Sequence, residues 1–397
     1  MVKFRCLSQT IPKKESLSMD SLHSLALESN RQMKINFDGG DLSSDAGLLL
    51  VKEFACKLGF VKMLKSMFKT KDTARLRRHK DDENLWQMIY QILGAYFEDD
   101  CADELTNDPV LTAILDKKAL ASQPTLSRFF NRMDESTLEQ FYALMRRFRK
   151  VVYSIKKPLL LLADLDSTLL DTHGHQEGEG FNFHYRSHGY HPLVCYDGMT
   201  GDLLKIELRN GTTYTSTGGT EFLQPLLDEF QEDYPDLPVL LRGDSGFPKP
   251  ELNEQCETNG VSYVIRLKEN NILRGLAADI DEALTEATQK DMVSYAVSYG
   301  EFMYQAGSWK YPQRVVCKVE KPADQLIYMY TFIVTNMDSS PEELIRFYCK
   351  RGSTENFIKK SKNGFDFAAV SSASQIVNPS PNLNILVNSP CGSLILV

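Results

Sequence analysis

The sequence predicts a mixed α/β protein whose central sheet carries a mostly β insertion and follows an all-helical N-terminal domain. Three observations predict it. Between about residues 43 and 150, apolar side chains recur at helical spacing and strand signals are scarce. At Pro158 the pattern changes to short apolar runs alternating with helices. Residues 270–335 then turn rich in Val, Tyr and Phe.

Residues 1–35 read as a flexible leader. The helical domain, 36–150, is marked by Leu48, Leu49, Leu50, Phe54 and Leu58, then by Leu85, Ile89, Ile92 and Leu93, then by Leu138, Phe141, Leu144 and Phe148. Gln123-Pro124 reads as a helix start with Pro in the first turn. Residues 159–165 read as a buried strand. Residues 192–196 and 203–208 read as strands joined by the turn Asp197-Gly198-Met199-Thr200-Gly201. Thr220 is placed to cap a helix bearing Phe222, Leu223, Leu226, Leu227 and Phe230, and further strands follow at 238–241 and 262–267. Residues 151–269 and 336–367 thus form one sheet-bearing domain around the insertion, whose strands are expected at 293–299, 314–319 and 327–334. Ser340-Pro341-Glu342-Glu343 is a capping box that opens a helix running to about Lys362. Residues 368–397 are rich in Asn, Ser and Pro and read as an atypical, truncated tail.

The longest aliphatic run is about five residues, far below the ~20 that span a bilayer, and the first thirty residues lack a signal-peptide core. A cytoplasmic protein with no membrane partner is expected. The eight cysteines show no C-x-x-C pair and read as reduced thiols. A net charge of −8 excludes a wholly basic nucleic-acid binder, yet residues 57–80 hold nine Lys/Arg against the single acid Asp72. Further basic clusters fall at Arg146, Arg147, Arg149 and Lys150 and at Lys359, Lys360 and Lys362. A DNA path needs such patches and not a basic chain. A partly basic helical module is a common way to hold duplex DNA.

Three carboxylates stand out by placement. Asp166 follows the first buried strand, Asp244 ends the strand at 238–241, and Glu355 lies mid-helix. Carboxylates at strand ends converge where a sheet opens, which suits divalent ions that clamp both oxygens of a phosphoryl displacement. Tyr348, Arg351, Glu355 and Lys362 have the spacing Y-x2-R-x3-E-x6-K, within a sector of about 60° on one helix face. One aromatic, one acid and two bases on one face suit a metal ligand set beside cations for phosphate.

This signature, after Asp166-Ser167-Thr168 and Leu241-Arg242-Gly243-Asp244-Ser245-Gly246-Phe247, resembles the DDE-type transposases of bacterial insertion sequences. Leu42-Ser43-Ser44-Asp45-Ala46-Gly47-Leu48, Leu120-Ala121-Ser122-Gln123-Pro124-Thr125-Leu126-Ser127-Arg128 and Tyr190-His191-Pro192-Leu193 fit as well, so the resemblance runs from about residue 37 to 367. It implies an RNase H-like catalytic domain, DNA-end binding by the helical domain, a homodimer in the synaptic complex, and hydrolysis followed by strand transfer in a bacterial cytoplasm. It also implies two Mg²⁺ ions (Mn²⁺ substituting) on Asp166, Asp244 and Glu355. Tyr348, Arg351 and Lys362 would grip phosphate, as would Arg75, Arg77, Arg78 and Lys80 in the helical domain. Trp309 is a candidate for stacking on an unpaired base.

Other readings compete. Asp164-Leu165-Asp166-Ser167-Thr168 also resembles the strand end of haloacid-dehalogenase-like phosphatases, with Asp164 as nucleophile. His173, His175, His184, His188 and His191 fall within nineteen residues and could form a metal site. The tail motivates a third reading, an inactive remnant that binds DNA without cutting it.

Overall fold

Seven consecutive residues, Leu161–Ser167, are buried or nearly so on both faces of a sheet, as a central strand flanked by layers on each side must be. The computed structural model describes residues 24–36, 43–98, 100–291, 295–322 and 327–368. In chain order, β1 (Ser24–Ala26) pairs antiparallel with β2 (Lys34–Asn36). Helices α1 (Leu48–Lys57), α2 (Phe60–Met67), α3 (Asp81–Leu93), α4 (Cys101–Glu104), α5 (Pro109–Ile114), α6 (Gln123–Phe130) and α7 (Glu135–Ile155) follow. The leader reading is therefore corrected in part: residues 24–36 form a hairpin with Leu27 and Ile35 buried, while residues 1–23 lie outside the described residues.

The strand Leu161–Ser167 is β3, and β4 (Leu170–Asp171), β5 (Gly180–Asn182) and β6 (Ser187–Tyr190) form a small separate sheet after it. The main sheet continues with β7 (Leu193–Asp197), β8 (Leu203–Glu207), β9 (Val239–Gly243), β10 (Ser262–Leu267), β11 (Ala296–Tyr304), β12 (Gln313–Lys321) and β13 (Met329–Thr335). Its order is β11-β12-β13-β10-β9-β3-β7-β8. The β3–β9 and β9–β10 pairs are parallel and the other neighbours antiparallel. Interleaved with them are α8 (Gly219–Asp233), α9 (Pro250–Thr258), α10 (Asn271–Leu276), α11 (Ala278–Asp291), α12 (Pro341–Cys349) and α13 (Gly352–Gly364). Side chains alternate across the sheet. Tyr263, Ile265, Phe332 and Val334 join the large core, whereas Val264, Val316 and Ile333 meet Leu344, Ile345 and Tyr348 of α12 on the other face.

Several expectations shift. Leu159 is 94% exposed, so the first strand begins at Leu161 and itself includes Asp166. Thr220 does not cap α8: the cap position is Gly218, left-handed at φ 71°, and the Thr220 hydroxyl donates to Glu221. The stretch 270–335 opens with two helices, and its strands extend the central sheet, because β13 pairs along β10. Leu273, Ala277 and Leu284, all buried, are spaced as a helix spaces them. The helix expected from Ser340 to Lys362 is divided near Lys350 into α12 and α13. No helix among the described residues is long and apolar enough to cross a membrane, and Cys56, Cys101, Cys195, Cys256, Cys317 and Cys349 are free thiols.

Two charge clusters join these layers. Arg146 forks onto Asp233 of α8 with both contacts at 2.6 Å, Lys150 reaches the same carboxylate at 2.7 Å, and the buried Arg149 meets Glu229. The Arg146 and Lys150 charges hold the Asp233 carboxyl down at about 2. The second cluster is fully buried. Asp164 of β3 and Arg242 of β9 are cross-strand partners bound by two 2.6 Å hydrogen bonds. Arg242 also donates to the Phe347 carbonyl at 3.2 Å and lies over the Phe347 ring, and the Thr354 hydroxyl donates to Asp164. Gly198 borders this pair, where any Cβ would fall 2.4 Å from Asp164 Oδ2.

Removing one member of a buried ion pair leaves the other charge stranded. Arg242→Ala should therefore lower unfolding free energy by about 3–5 kcal/mol. Urea denaturation followed by circular dichroism measures this, and a loss below about 1 kcal/mol would contradict the role assigned to the pair.

Candidate active site

Parallel pairing of β3 with β9 runs as far as Leu165 opposite Gly243. The next residues along the two strands are Asp166 and Asp244, so the register sets the two carboxylates side by side. Asp166 is 7% exposed; its Oδ1 accepts the Ser167 N–H at 2.8 Å, and its Oδ2 meets Arg351 Nη2 at 2.7 Å. Asp244 Oδ1 accepts the Gly246 N–H at 2.8 Å, a turn of the Asx type. A side chain at Gly246 would crowd this turn, with its Cβ 2.7 Å from Thr215 and 3.0 Å from Asp244 Oδ1. Burial, with added repulsion from Asp244 and Glu355, pushes the Asp166 carboxyl up to about 6, although Arg351 opposes the shift.

The third carboxylate comes from the divided helix. Between Phe347 and Thr354 the backbone bonds reach back three residues: Lys350 N–H to Phe347 O, Arg351 to Tyr348, Ser353 to Lys350 and Thr354 to Arg351. Such a tightened turn advances about 120° per residue in place of 100°, and the single-face stripe is lost. Arg351 turns inward to Asp166, with Glu355 at 3.8 Å on its other side. The Glu355 side chain is 72% exposed. Tyr348 is buried under α12, and burial lifts its hydroxyl to about 12. Lys362 donates to the Leu169 carbonyl at 2.6 Å, and burial lowers its pKa. Lys362 thus braces the end of β3, a correction to its expected place on a phosphate-gripping face.

Among the described residues, no three His, Cys, Asp or Glu side chains are drawn close enough to hold one ion between them. Arg351 stands between Asp166, at 2.7 Å, and Glu355, at 3.8 Å. The donor chemistry fits a hard divalent cation, because the oxygens on offer are carboxylates and the Asp166 carboxyl, pushed up by burial and further by Asp244 and Glu355, would be relieved by a nearby positive charge.

Other expected residues divide. Trp309 is 6% exposed and packs edge-on against Tyr304 with ring centres 5.4 Å apart, so it is a core residue and not a stacking platform. Arg77 is tied to Asp72 at 2.9 Å and Asp81 at 3.4 Å, which corrects its reading as a free phosphate contact. Arg75, Arg78 and Lys80 are exposed. On α7, Arg146, Arg149 and Lys150 are likewise paired with α8 acids, whereas Arg147 is exposed. Asp164 is excluded as a phosphatase nucleophile, since both its oxygens are occupied by Arg242 and it has no exposed surface. The histidines scatter: His191 is buried against the Thr213 carbonyl at 2.8 Å, and His175 stands exposed beside Glu179. One residue escaped sequence reasoning. Tyr185, in the β5–β6 turn, has its pKa raised by burial and further by the Asp166 and Asp244 charges, and its ring lies 6.0 Å from that of His191. Its aromatic neighbourhood in Phe181-Asn182-Phe183-His184-Tyr185 was the available signal.

Adjacent carboxylates at the ends of paired parallel strands, a third on a following helix, and an arginine among them define a class of acidic-centre α/β protein. The profile of one family, described as transposase DDE domain group 1, matches residues 25–381. The chain belongs to that family. No curated protein matches it. Among solved structures, it is similar to a piggyBac transposase synaptic complex with hairpin DNA, at 12% identity and TM-score 0.44, covering 88% of this chain and 74% of that one. A Mos1 mariner paired-end complex with Mn gives 12% identity and TM-score 0.20 over 60% of this chain and 80% of that one. A Mos1 paired-end complex with the left transposon end gives 14% and 0.20, over 64% and 80%.

The folded chain holds the Asp166 proton to about 6, whereas an unperturbed carboxyl releases it at 3.8. Its contribution to stability therefore falls as pH rises between those values. Carboxyl-carbon NMR should find Asp166 titrating near 6, moving down in Asp244→Asn and up in Arg351→Met. A titration at the ordinary value that ignores both substitutions would contradict the electrostatics described.

Proposed function

We propose that this chain is a DNA transposase that cuts and rejoins DNA at the ends of its own element, with Asp166, Asp244 and Glu355 as its catalytic carboxylates. The observation that carries this reading is the juxtaposition of Asp166 and Asp244 by strand register, with Glu355 reached through Arg351, in a member of a transposase DDE family. The strand order β8-β7-β3-β9-β10, antiparallel on one side of β3 and parallel on the other, supports an RNase H-like catalytic core. Helices α1 to α7 then serve as the domain that holds duplex DNA.

Asp166, Asp244 and Glu355 would hold Mg²⁺, or Mn²⁺ in its place, because hard carboxylate oxygens suit both. Two such ions, when bound, activate an attacking oxygen and stabilise a leaving one. The protein's own groups do the positioning. Ser167 and Gly246 N–H groups fix one oxygen of each Asp, and Arg351 holds the second oxygen of Asp166. Arg351 orients Asp166 and sets a cation where a scissile phosphate would lie. Two element ends imply a homodimer in the synaptic complex, and the resemblance to insertion-sequence enzymes implies a bacterial cytoplasm.

Purified protein with Mg²⁺ or Mn²⁺ should nick supercoiled plasmid carrying the gene's own flanking DNA. Asp244→Ala should lower nicking by more than about a hundredfold, as loss of one member of a cooperative catalytic set does, while leaving DNA binding intact. Binding without cleavage by the unaltered chain would reduce the reading to a DNA-binding remnant. Metal-independent nicking, or nicking unaffected by the substitution, would overturn the assignment of the carboxylates.

A further inference from the structure

A cleft of about 390 Å³ opens in the helical domain between residues 72–79, the start of α3 and the first turns of α6. These elements carry none of the three carboxylates. Four arginines line the cleft, and they divide into two pairs. Arg77 and Arg132 are committed to Asp72 and Asp81, and Arg132 also donates to Thr70 and to the Arg128 carbonyl. They form a frame. Arg78 makes no side-chain hydrogen bond or ion pair among the described residues, and Arg128 makes only a 3.4 Å contact with the Thr125 hydroxyl. These two guanidiniums are available.

Further polar groups line the wall, beside the Asp72 carboxylate that Arg77 and Arg132 neutralise. Lys117 approaches His79 Nδ1 at 3.2 Å; an ammonium can only donate, so Nδ1 accepts and Nε2 carries the imidazole proton. Burial and the Lys117 and Arg78 charges keep the His79 pKa below its ordinary value, a sign of positive local potential. Asn84 also lines the cleft. It is 1% exposed, and neither its amide nitrogen nor its oxygen has a partner. A buried amide left unpaired is unfavourable until something supplies the missing bond. At the rim Leu76 is 94% exposed, beside Arg75 and Arg77. A small free anion has nothing to offer an exposed leucine. A nucleic-acid backbone does, because its phosphates are flanked by apolar sugar edges and a groove.

We propose that this cleft seats a backbone phosphate of duplex DNA between Arg78 and Arg128, with Asn84 and His79 donating from its wall and Leu76 laid against the adjoining groove. The choice of partner rests on the transposase reading above. The geometry adds a second grip, separate from the carboxylates, and specifies which of the many basic residues form it.

The test is anisotropy of a labelled mixed-sequence duplex with the full chain, repeated from about 50 to 200 mM salt. The double variant Arg78→Ala with Arg128→Ala should reduce the slope of log affinity against log salt by about 0.9, the share of one neutralised phosphate, and each single substitution by part of that. Leu76→Ser should weaken binding several-fold and leave the slope unchanged. Duplex binding with an unaltered slope in a double variant that melts like the parent would overturn the clamp and leave the transposase reading standing. Failure of the unaltered chain to bind duplex at all would overturn both.

Discussion

The arrangement depends on one buried ion pair. Asp164 and Arg242 sit opposite each other on β3 and β9, and both are removed from water. Such a pair adds little net stability over apolar side chains of the same volume, because desolvation offsets the attraction. Its effect is on register. A slip of one residue between β3 and β9 would strand both charges and turn every alternate side chain to the wrong face. The same slip would separate Asp166 from Asp244, since they lie two positions further along the same strands. Through the Phe347 carbonyl and the Thr354 hydroxyl, the pair also fixes where α12 ends and α13 begins. One interaction thus references all three carboxylates to a common origin.

Charge elsewhere is deployed in two ways. An acidic chain with net charge −8 must hold an anionic polymer, if it does so, through local patches. Many of its cations are internal fasteners. Arg146, Arg149 and Lys150 join α7 to α8, Arg77 and Arg132 brace the 72–81 segment, and Lys362 pins the end of β3. What remains for an outside partner is a smaller set than a count of basic residues suggests.

Much of this was legible in the sequence. The apolar runs located β3 and β9, which lead to Asp166 and Asp244, the capping box at Ser340 located α12 but not the separate helix that bears Glu355, and the DDE resemblance agrees with the family match. The less legible parts have identifiable causes. Basic clusters do not reveal their acidic partners, because Glu229 and Asp233 lie about eighty residues from the arginines they bind. The extension of the sheet by β11, β12 and β13 depends on a long-range pairing with β10, which leaves no local trace. Asp164 looked like a nucleophile because a motif records residue type and not whether an arginine already occupies both oxygens. Helical periodicity assumed a uniform 100° step, and the tightened turn at Lys350 and Arg351 broke that assumption.

That turn has a mechanical consequence. A continuous helix would transmit any rotation of α12 directly to Glu355. Here α12 is locked onto the sheet through Leu344, Ile345 and Tyr348, while Glu355 stands in the first turn of a separate helix whose own anchors are Thr354, Ile358 and Ser361. The joint works like a mitred corner: each arm is fastened to the frame on its own, α12 through its apolar face and the Glu355 helix through the Thr354–Asp164 and Ser361–Tyr196 bonds. The position of the third carboxylate is therefore set by the strands beneath it and not by the direction of the helix that precedes it.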